Sequence, residues 1–407
     1  MKHRKLLVYL LISLIIFNTC ACSKKAPEKE KQLNLYLDVK DKYSMNLIKF
    51  FIDEYKKDNP KIKVNLSNAL GGGNLLEDIS KGTEADIIFT SRNSLIELSQ
   101  KGLISDMGSY YEKNKFSDKY FKIMTEYGRV GDKYFGIGLV PYTVEILYNT
   151  AALRNLSLNP PNNIMDVKAV LAKLKASSIR VPLILTEDID RYGGAASILA
   201  NNIINSQKLE NSYGSSKDNY KEVKEMQTFF NSINTLVKSG IVDKNTFELG
   251  DETSINSLNK GNIPMLITIS YYNNRFETAN IGLLEDYSFS NNLKPNIPII
   301  VNSVLSVATN SKNGEETADF IKTVFGDDMQ KRLVQKGFIS GDKKANENAI
   351  GLNKSSVNQI SNSNENSILF LYNMPYRLSN EVVVRINNIL MGKYTGKEWQ
   401  EAVESGQ

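Results

Sequence analysis

Lys133–Ala152, KYFGIGLVPYTVEILYNTAA, decides how the rest of the chain is organised. Phe135–Leu139 and Val144–Tyr148 are apolar runs rich in β-branched and aromatic residues, separated by Pro141 and Tyr142. No Asn-Gly or similar tight-turn signal joins them, so a hairpin is not indicated. The spacing instead predicts one extended segment bent at a proline, carrying the chain from one globular lobe into another with a ligand cleft between them.

On its N-terminal side the pattern alternates strand and helix. Leu33–Val39, Ile62–Leu66 and Ala85–Phe89 are strand-like, the last continuously apolar as in a parallel strand covered on both faces. Between and after them, Ser44–Tyr55, Leu75–Ser80 and Leu95–Gly102 show helical spacing, with Ser44 as the expected N-cap of the first. This β-α order predicts an α/β lobe with a mostly parallel sheet.

On the C-terminal side, Val181–Leu185 is strand-like, between a helix at Ile164–Lys175 and helices at Ala195–Ile204 and Glu222–Lys238. Gln207–Asn219 is expected to be a polar loop. Lys260–Tyr272, KGNIPMLITISYY, repeats the opening logic and is expected to be a return crossing into the first lobe; Asn302–Thr309 is a third such strand. Helices follow at Glu315–Phe325, Asp328–Lys336 and Ser379–Met391, with an Asn/Ser-rich loop, partly helical, at 346–366, and the chain ends with a stretch at Lys397–Val403 that contains Trp399. The fold expected is a two-lobed α/β architecture, each lobe a mostly parallel sheet flanked by helices, joined by three hinge crossings able to bend but not to separate. Residues 33–141 and 264–308 would form the first lobe, and 142–263 and 309–407 the second.

At 407 residues the chain suits two domains, and with 41% hydrophobic and 23% charged residues it is globular. Lys2, Arg4 and Lys5 precede the apolar run Leu6–Phe17, the pattern of a secretory leader spanning 1–21. The formal charge of +5 falls to +2 without that leader, because three of the 50 basic residues and none of the 45 acids lie in it. No nucleic-acid footprint is present. The only histidine, His3, lies in the leader, and the only cysteines are Cys20 and Cys22. The remaining chain therefore cannot build a His-based triad, a Cys-His nucleophile, a common zinc site or a disulfide, and no cofactor is indicated. Carboxylate-only chemistry survives, and Asp38, Glu145, Asp188 and Asp190 are the acids from which a hydrolase would draw.

Thr19-Cys20-Ala21-Cys22 resembles the lipobox of bacterial lipoproteins, which implies a diacylglyceryl-cysteine, best placed at Cys22 with Cys20 second, and anchorage at the outer face of the cell membrane. Residues 22–32, charged and containing Pro27, form a tether. The order of the larger landmarks resembles the family 1 extracellular solute-binding proteins, the maltose-binding-protein-like group of ABC importers. ADIIF with LIELSQKGLISDM, the Lys133–Leu153 block, NNIMDVKAVLAKLKA, LNKGNIPMLITISYY and VATNSKNGEETADFIKTVFGDDMQKRL carry that resemblance over Leu33–Gln407. It implies a monomeric, non-enzymatic protein that binds a small polar solute, a sugar or oligosaccharide, and passes it to ABC permease membrane subunits. Only one tryptophan, Trp399, is present, so stacking on a sugar would fall to some of the 20 tyrosines. Signalling or partner binding on the same fold is the alternative reading.

Ligands in open α/β sheets bind beyond the carboxyl ends of strands. The loops there are Asp38–Tyr43, Ala69–Asn74 and Thr90–Arg92 in the first lobe, and in the second the acidic loop Glu187–Asp190, with Asp188, and Tyr192; no Lys-Ser/Thr follows Gly71–Gly73, so it is no P-loop. Glu187, Asp188 and Asp190 lack the glycine and closing glutamate of a calcium loop. The resemblance adds Thr90 and Arg92, in the place of that family's cleft aromatic and Asp-Arg pair, Tyr142 beside the crossing, and Tyr271 and Tyr272. Arg92 could equally be a helix-entry charge, and one of Tyr271 and Tyr272 would be core if both lie in a strand.

Overall fold

The computed structural model describes residues 31–68, 74–277, 279–288, 295–301 and 303–406. The expected leader, Cys20, Cys22, nearly all of the expected tether and Gly71–Gly73 lie outside them. Among the described residues no helix is long and apolar enough to cross a membrane.

Two sheets, each flanked by helices, make the two lobes. In the first, the order is Lys63–Asn68, Gln32–Asp38, Ile87–Thr90, Val304–Val307 and Ile137–Gly138; the first three strands are parallel and Val304–Val307 runs against its neighbours. Helix Lys42–Asp58 covers this sheet because Leu47, Ile48, Phe51, Ile52 and Tyr55 recur on one face and are buried. Its cap is Asp41, whose carboxylate accepts the Ser44 amide at 2.7 Å, so Ser44 sits inside the first turn and is not the cap.

In the second sheet the order is Ile281–Leu283, Tyr142–Asn149, Met265–Ile269, Val181–Leu183 and Phe247–Leu249, with Ile299–Ile300 also paired to Tyr142–Asn149. This corrects one expectation. Met265–Ile269 does not return to the first lobe; it pairs with Tyr142–Asn149, Thr268 opposite Glu145, because both strands are apolar and buried on both faces and meet inside the second core.

The proline bend is where the sequence placed it. Ile137–Gly138 lies in the first sheet, Tyr142–Asn149 in the second, and Pro141 stands between them. The returning strand lies against it: Tyr142 pairs with Ile300, Gly138 with Val304, and the Leu139 amide donates to Ser303 O at 2.9 Å. The contact is close: a Cβ at 138 would lie 3.0 Å from Val301 Cγ1 and 3.2 Å from Met124 O, so a larger residue would have to displace its neighbours. The third link runs between helix Asp327–Gln335 and helix Gly351–Ser361. The first of these is tied to the first lobe by Arg332 on Glu54 at 2.9 Å, whereas the second packs on the 3-10 turn Ser270–Arg275. Assigning all of 309–407 to the second lobe is therefore also corrected: helix Gly314–Val324 packs on helix Lys42–Asp58 and on Gln32–Asp38, burying Thr317, Phe320 and Ile321. The 207–219 segment, expected to be a loop, contains helices Ser206–Asn211 and Lys217–Lys221, stabilised by burial of Leu209 and Tyr220.

Candidate functional site

A cleft of about 530 Å³ opens between the lobes, within the usual range for small-molecule sites of roughly 300–1,000 Å³. Its first wall comes from the carboxyl ends of parallel strands. Asp38 ends Gln32–Asp38, Lys40 and Asp41 follow, and Asn74 enters as the cap of helix Leu75–Ser80. Ser94 and Glu97 project from helix Arg92–Gln100. The second wall is Asp188 and Asp190, after strand Val181–Leu183, together with Tyr372, Tyr376 and Asn380 from the C-terminal part of the chain.

Hydrogen bonds fix the two carboxylates that face each other across this space. Thr90 Oγ1 donates to Asp38 Oδ2 at 2.9 Å and Ser94 Oγ at 3.4 Å, so Thr90, itself buried, positions Asp38 from beneath. Burial raises the Asp38 carboxyl above its ordinary value, against the hydrogen bond from Thr90 and the charge of Lys40. Tyr372 OH donates to Asp188 Oδ2 at 2.7 Å. Solvent reaches Asp188, yet the surrounding walls crowd it, and this desolvation raises its carboxyl while Tyr372 and Thr186 oppose the shift. Asp190 Oδ1 accepts the Tyr192 and Gly193 amides at 2.7 and 3.3 Å, capping helix Arg191–Ala200 and leaving its other oxygen to the cleft. Among the described residues, five carboxylates, from Asp38, Asp41, Glu97, Asp188 and Asp190, thus share the lining with one ammonium, Lys40. Lys40 Nζ lies 5.8 Å from the ring centre of Tyr376, an aromatic that is 64% exposed. Such a lining accepts hydroxyl and amine protons and offers Tyr376 as an apolar face. Among the described residues no group of three His, Cys, Asp or Glu could hold a metal ion.

Only Asp38 and Asp188 of the nine expected ligand contacts line this cleft. Arg92 is neither a surface charge nor a cleft group. It is fully buried, with Nη2 on Glu210 at 2.6 Å, Nε on Asn373 Oδ1 at 2.8 Å and Nη1 on the carbonyls of Glu126, Tyr127 and Arg129. Burial pulls its guanidinium below the ordinary value while Glu210 pushes the other way. With no exposed surface and five acceptors around it, Arg92 is closed to a ligand, and the arrangement fastens the first lobe to helix Ser206–Asn211 and to the Phe370–Asn373 turn. Asn93 continues the same seam, donating to Leu371 O at 3.1 Å and to Met374 O at 2.6 Å.

Tyr192 points away from the cleft into the second-lobe core, where its hydroxyl donates to Lys244 O at 3.2 Å. Tyr142 is buried at the hinge, edge-on to Tyr271 at 5.9 Å. Tyr43 and Tyr271 are half-buried, 4.8 Å apart, with the buried Tyr272 5.5 Å from Tyr43, so they form an aromatic contact between the lobes beside the cleft. Tyr271 and Tyr272 stand in a 3-10 turn, not in a strand, and Tyr272 is the core member of the pair. Of the acids considered for hydrolysis, Glu145 is fully buried in the second sheet and remote from the lining. Asn74 closes the 69–74 loop that sequence reasoning offered, whereas Tyr372 and Tyr376 were missed. The Met374-Pro375-Tyr376 step was the available signal, since Pro375 caps helix Tyr376–Leu390 and presents Tyr376 at its exposed start.

This geometry has counterparts. The chain matches the family model described as bacterial extracellular solute-binding protein over residues 44–331. A search of curated proteins finds no match. Among solved structures it is similar to the sugar-binding protein MalE from Xanthomonas citri, at 14% identity and TM-score 0.66, covering 92% of this chain and 96% of that one. It is similar to the GacH receptor of Streptomyces glaucescens, solved unliganded and with acarbose, at 14% identity and TM-score 0.64, with the same coverage of 92% and 96%. A family 1 extracellular solute-binding protein from Bifidobacterium longum subsp. infantis aligns at 14% identity and TM-score 0.66, covering 93% and 98%. At these identities the likeness speaks for the two-lobed fold, and the family match spans most of the sequence: this protein belongs to the bacterial extracellular solute-binding proteins.

Proposed function

We propose that the protein captures a sugar or oligosaccharide in the interlobe cleft and delivers it to the membrane subunits of an ABC permease, working as a monomer tethered to the outer face of the membrane through a diacylglyceryl group on Cys22. The carrying observation is the cleft itself, of about 530 Å³, with Asp38 on one wall and Asp188 on the other. A hydroxylated solute bridging these walls favours the closed arrangement by its extra affinity for it. Asp38 and Asp188 are the hydrogen-bond acceptors of this reading, and Tyr376 is the stacking surface that tryptophan supplies elsewhere. Similar structures solved with acarbose, tagatose and maltotriose support a carbohydrate.

Isothermal titration against panels of mono- and oligosaccharides and of peptides tests the ligand class, with small-angle scattering on the same samples. Saturable binding of a sugar with a smaller radius supports the reading; binding of peptides alone overturns it. Mass spectrometry of the membrane-extracted protein tests the anchor, and an unmodified Cys22 removes that part.

A further inference from the structure

Glu145 lies in the middle of strand Tyr142–Asn149 with no exposed surface, and the cleft does not use it. Three donors converge on its Oε1: Thr143 Oγ1 at 2.7 Å, Asn273 Nδ2 at 3.3 Å and the Ser356 hydroxyl. Its other oxygen, Oε2, is buried with no hydrogen-bond partner. Two further buried oxygens around it are also unpartnered, Thr268 Oγ1 and Asn273 Oδ1. Thr268 is the direct cross-strand partner of Glu145, and side chains so paired stand about 4.5–5.5 Å apart at Cβ. Asn273 already bonds Oε1 through its amide nitrogen.

Orphaned buried polar atoms cost free energy, and a buried unpaired carboxylate costs more. One proton relieves both. A carboxylic acid protonated on Oε2 becomes a donor that Asn273 Oδ1, an acceptor only, can receive, while Oε1 keeps its three donors. The ionised form has no such partner on Oε2 and no cation beside it. The titratable and charged groups of the surrounding elements do not supply one. Tyr142 and Tyr148 share its strand, Tyr271, Tyr272 and Arg275 the turn, and Lys354 the covering helix; Glu285, Asp286 and Tyr287 follow strand Ile281–Leu283. Tyr287 OH is spent on the backbone of Ile146 and Val144, Arg275 pairs with Glu252, and no charge among them offsets the burial of Glu145.

The location gives this proton a mechanical consequence. Strand Tyr142–Asn149 starts where the first crossing ends at Pro141, and helix Gly351–Ser361 starts where the third link enters the second lobe. Ser356, on that helix, bonds Glu145 and accepts from Asn273 Nδ2 at 2.9 Å. We propose that Glu145 is a proton-operated fastener of the hinge: protonated, it holds helix Gly351–Ser361 against the strand leaving Pro141, and on ionisation it loosens that helix and with it the joint between the lobes.

Burial raises the Glu145 carboxyl to about 7, against the hydrogen bonds of Ser356, Thr143 and Asn273. The folded state therefore holds this proton more tightly than the unfolded one. Its contribution to stability is complete below about pH 4.5 and is lost as pH rises through about 7. Glu145→Gln keeps the shape and a donor while removing the titration. Thermal unfolding on both sides of about pH 7 should show the unaltered protein losing several degrees of Tm as pH rises, and E145Q losing none and unfolding above it on the alkaline side. The same pH slope in both proteins, or E145Q unfolding below the unaltered protein on the alkaline side, overturns the proposal. Hydrogen exchange, corrected for its intrinsic pH dependence, reads the hinge directly. Protection of helix 351–361 should fall on the alkaline side in the unaltered protein and stay level in E145Q, and equal protection at both pH values overturns the mechanical step. If E145Q does not fold, infrared spectroscopy of the unaltered protein decides: a protonated-carboxyl C=O band present below about pH 7 and lost above it is required, and its absence overturns the proposal.

Discussion

The two walls of the cleft are built by different means. The first is delivered by local rules: Asp38, Asn74 and Ser94 stand where parallel strands run out or where the next helix is capped. Half of the second wall follows the same rule, with Asp188 and Asp190 after strand Val181–Leu183. The other half, Tyr372 and Tyr376, is nearly two hundred residues further on and arrives only because helix Tyr376–Leu390 packs against helices Arg191–Ala200 and Glu225–Lys238. Behind both walls runs the Arg92 seam, where a charged side chain is spent on joining the lobes. A ligand-facing acid keeps solvent access and a neutral donor, as Asp188 does with Tyr372; a structural charge loses solvent and gains several protein acceptors, as Arg92 does.

Substitutions can break that contrast. Arg92→Ala should have the largest effect, because it leaves Glu210 buried beside an emptied site; losing one partner of a buried pair costs about 3–5 kcal/mol. Chemical denaturation checks this, and a change below about 1 kcal/mol would return Arg92 to the surface charges. Asp188→Asn should leave stability nearly unchanged and weaken sugar binding by about 1.5–3 kcal/mol, the worth of hydrogen bonds to a charged group. Titration with the best sugar of the panel reads that loss. Tyr376→Ala should be mildest, about 0.5–1.5 kcal/mol of affinity for a stacked ring, with no shift in unfolding because the side chain is exposed. Full affinity in both of the last two variants would move the binding surface elsewhere in the cleft.

Much of the fold was legible in the sequence. Period and punctuation marked the first-lobe strands, the helix at Lys42–Asp58 and the bend at Pro141, because apolar spacing, capping residues and proline act over a few residues. Where they failed, the deciding term was non-local. Met265–Ile269 has the composition of any buried strand, and only pairing with Tyr142–Asn149 assigns it to the second sheet. Tyr142, Tyr192 and Tyr272 have the chemistry of ligand contacts, yet packing turns each into the core.

The amino-acid sequence by itself determined the α/β alternation, the proline-bent crossing, a chain whose one histidine is His3 and whose cysteines are Cys20 and Cys22 alone, and three of the acids that line the cleft, Asp38, Asp188 and Asp190. Only the tertiary structure decided that Arg92 joins the lobes, that Tyr372 and Tyr376 complete the site, and that Glu145 is enclosed among oxygens that one proton can reconcile. The physical reason is that residue type sets what a side chain can do, whereas burial and partners, assembled from distant segments, set which of those things it does.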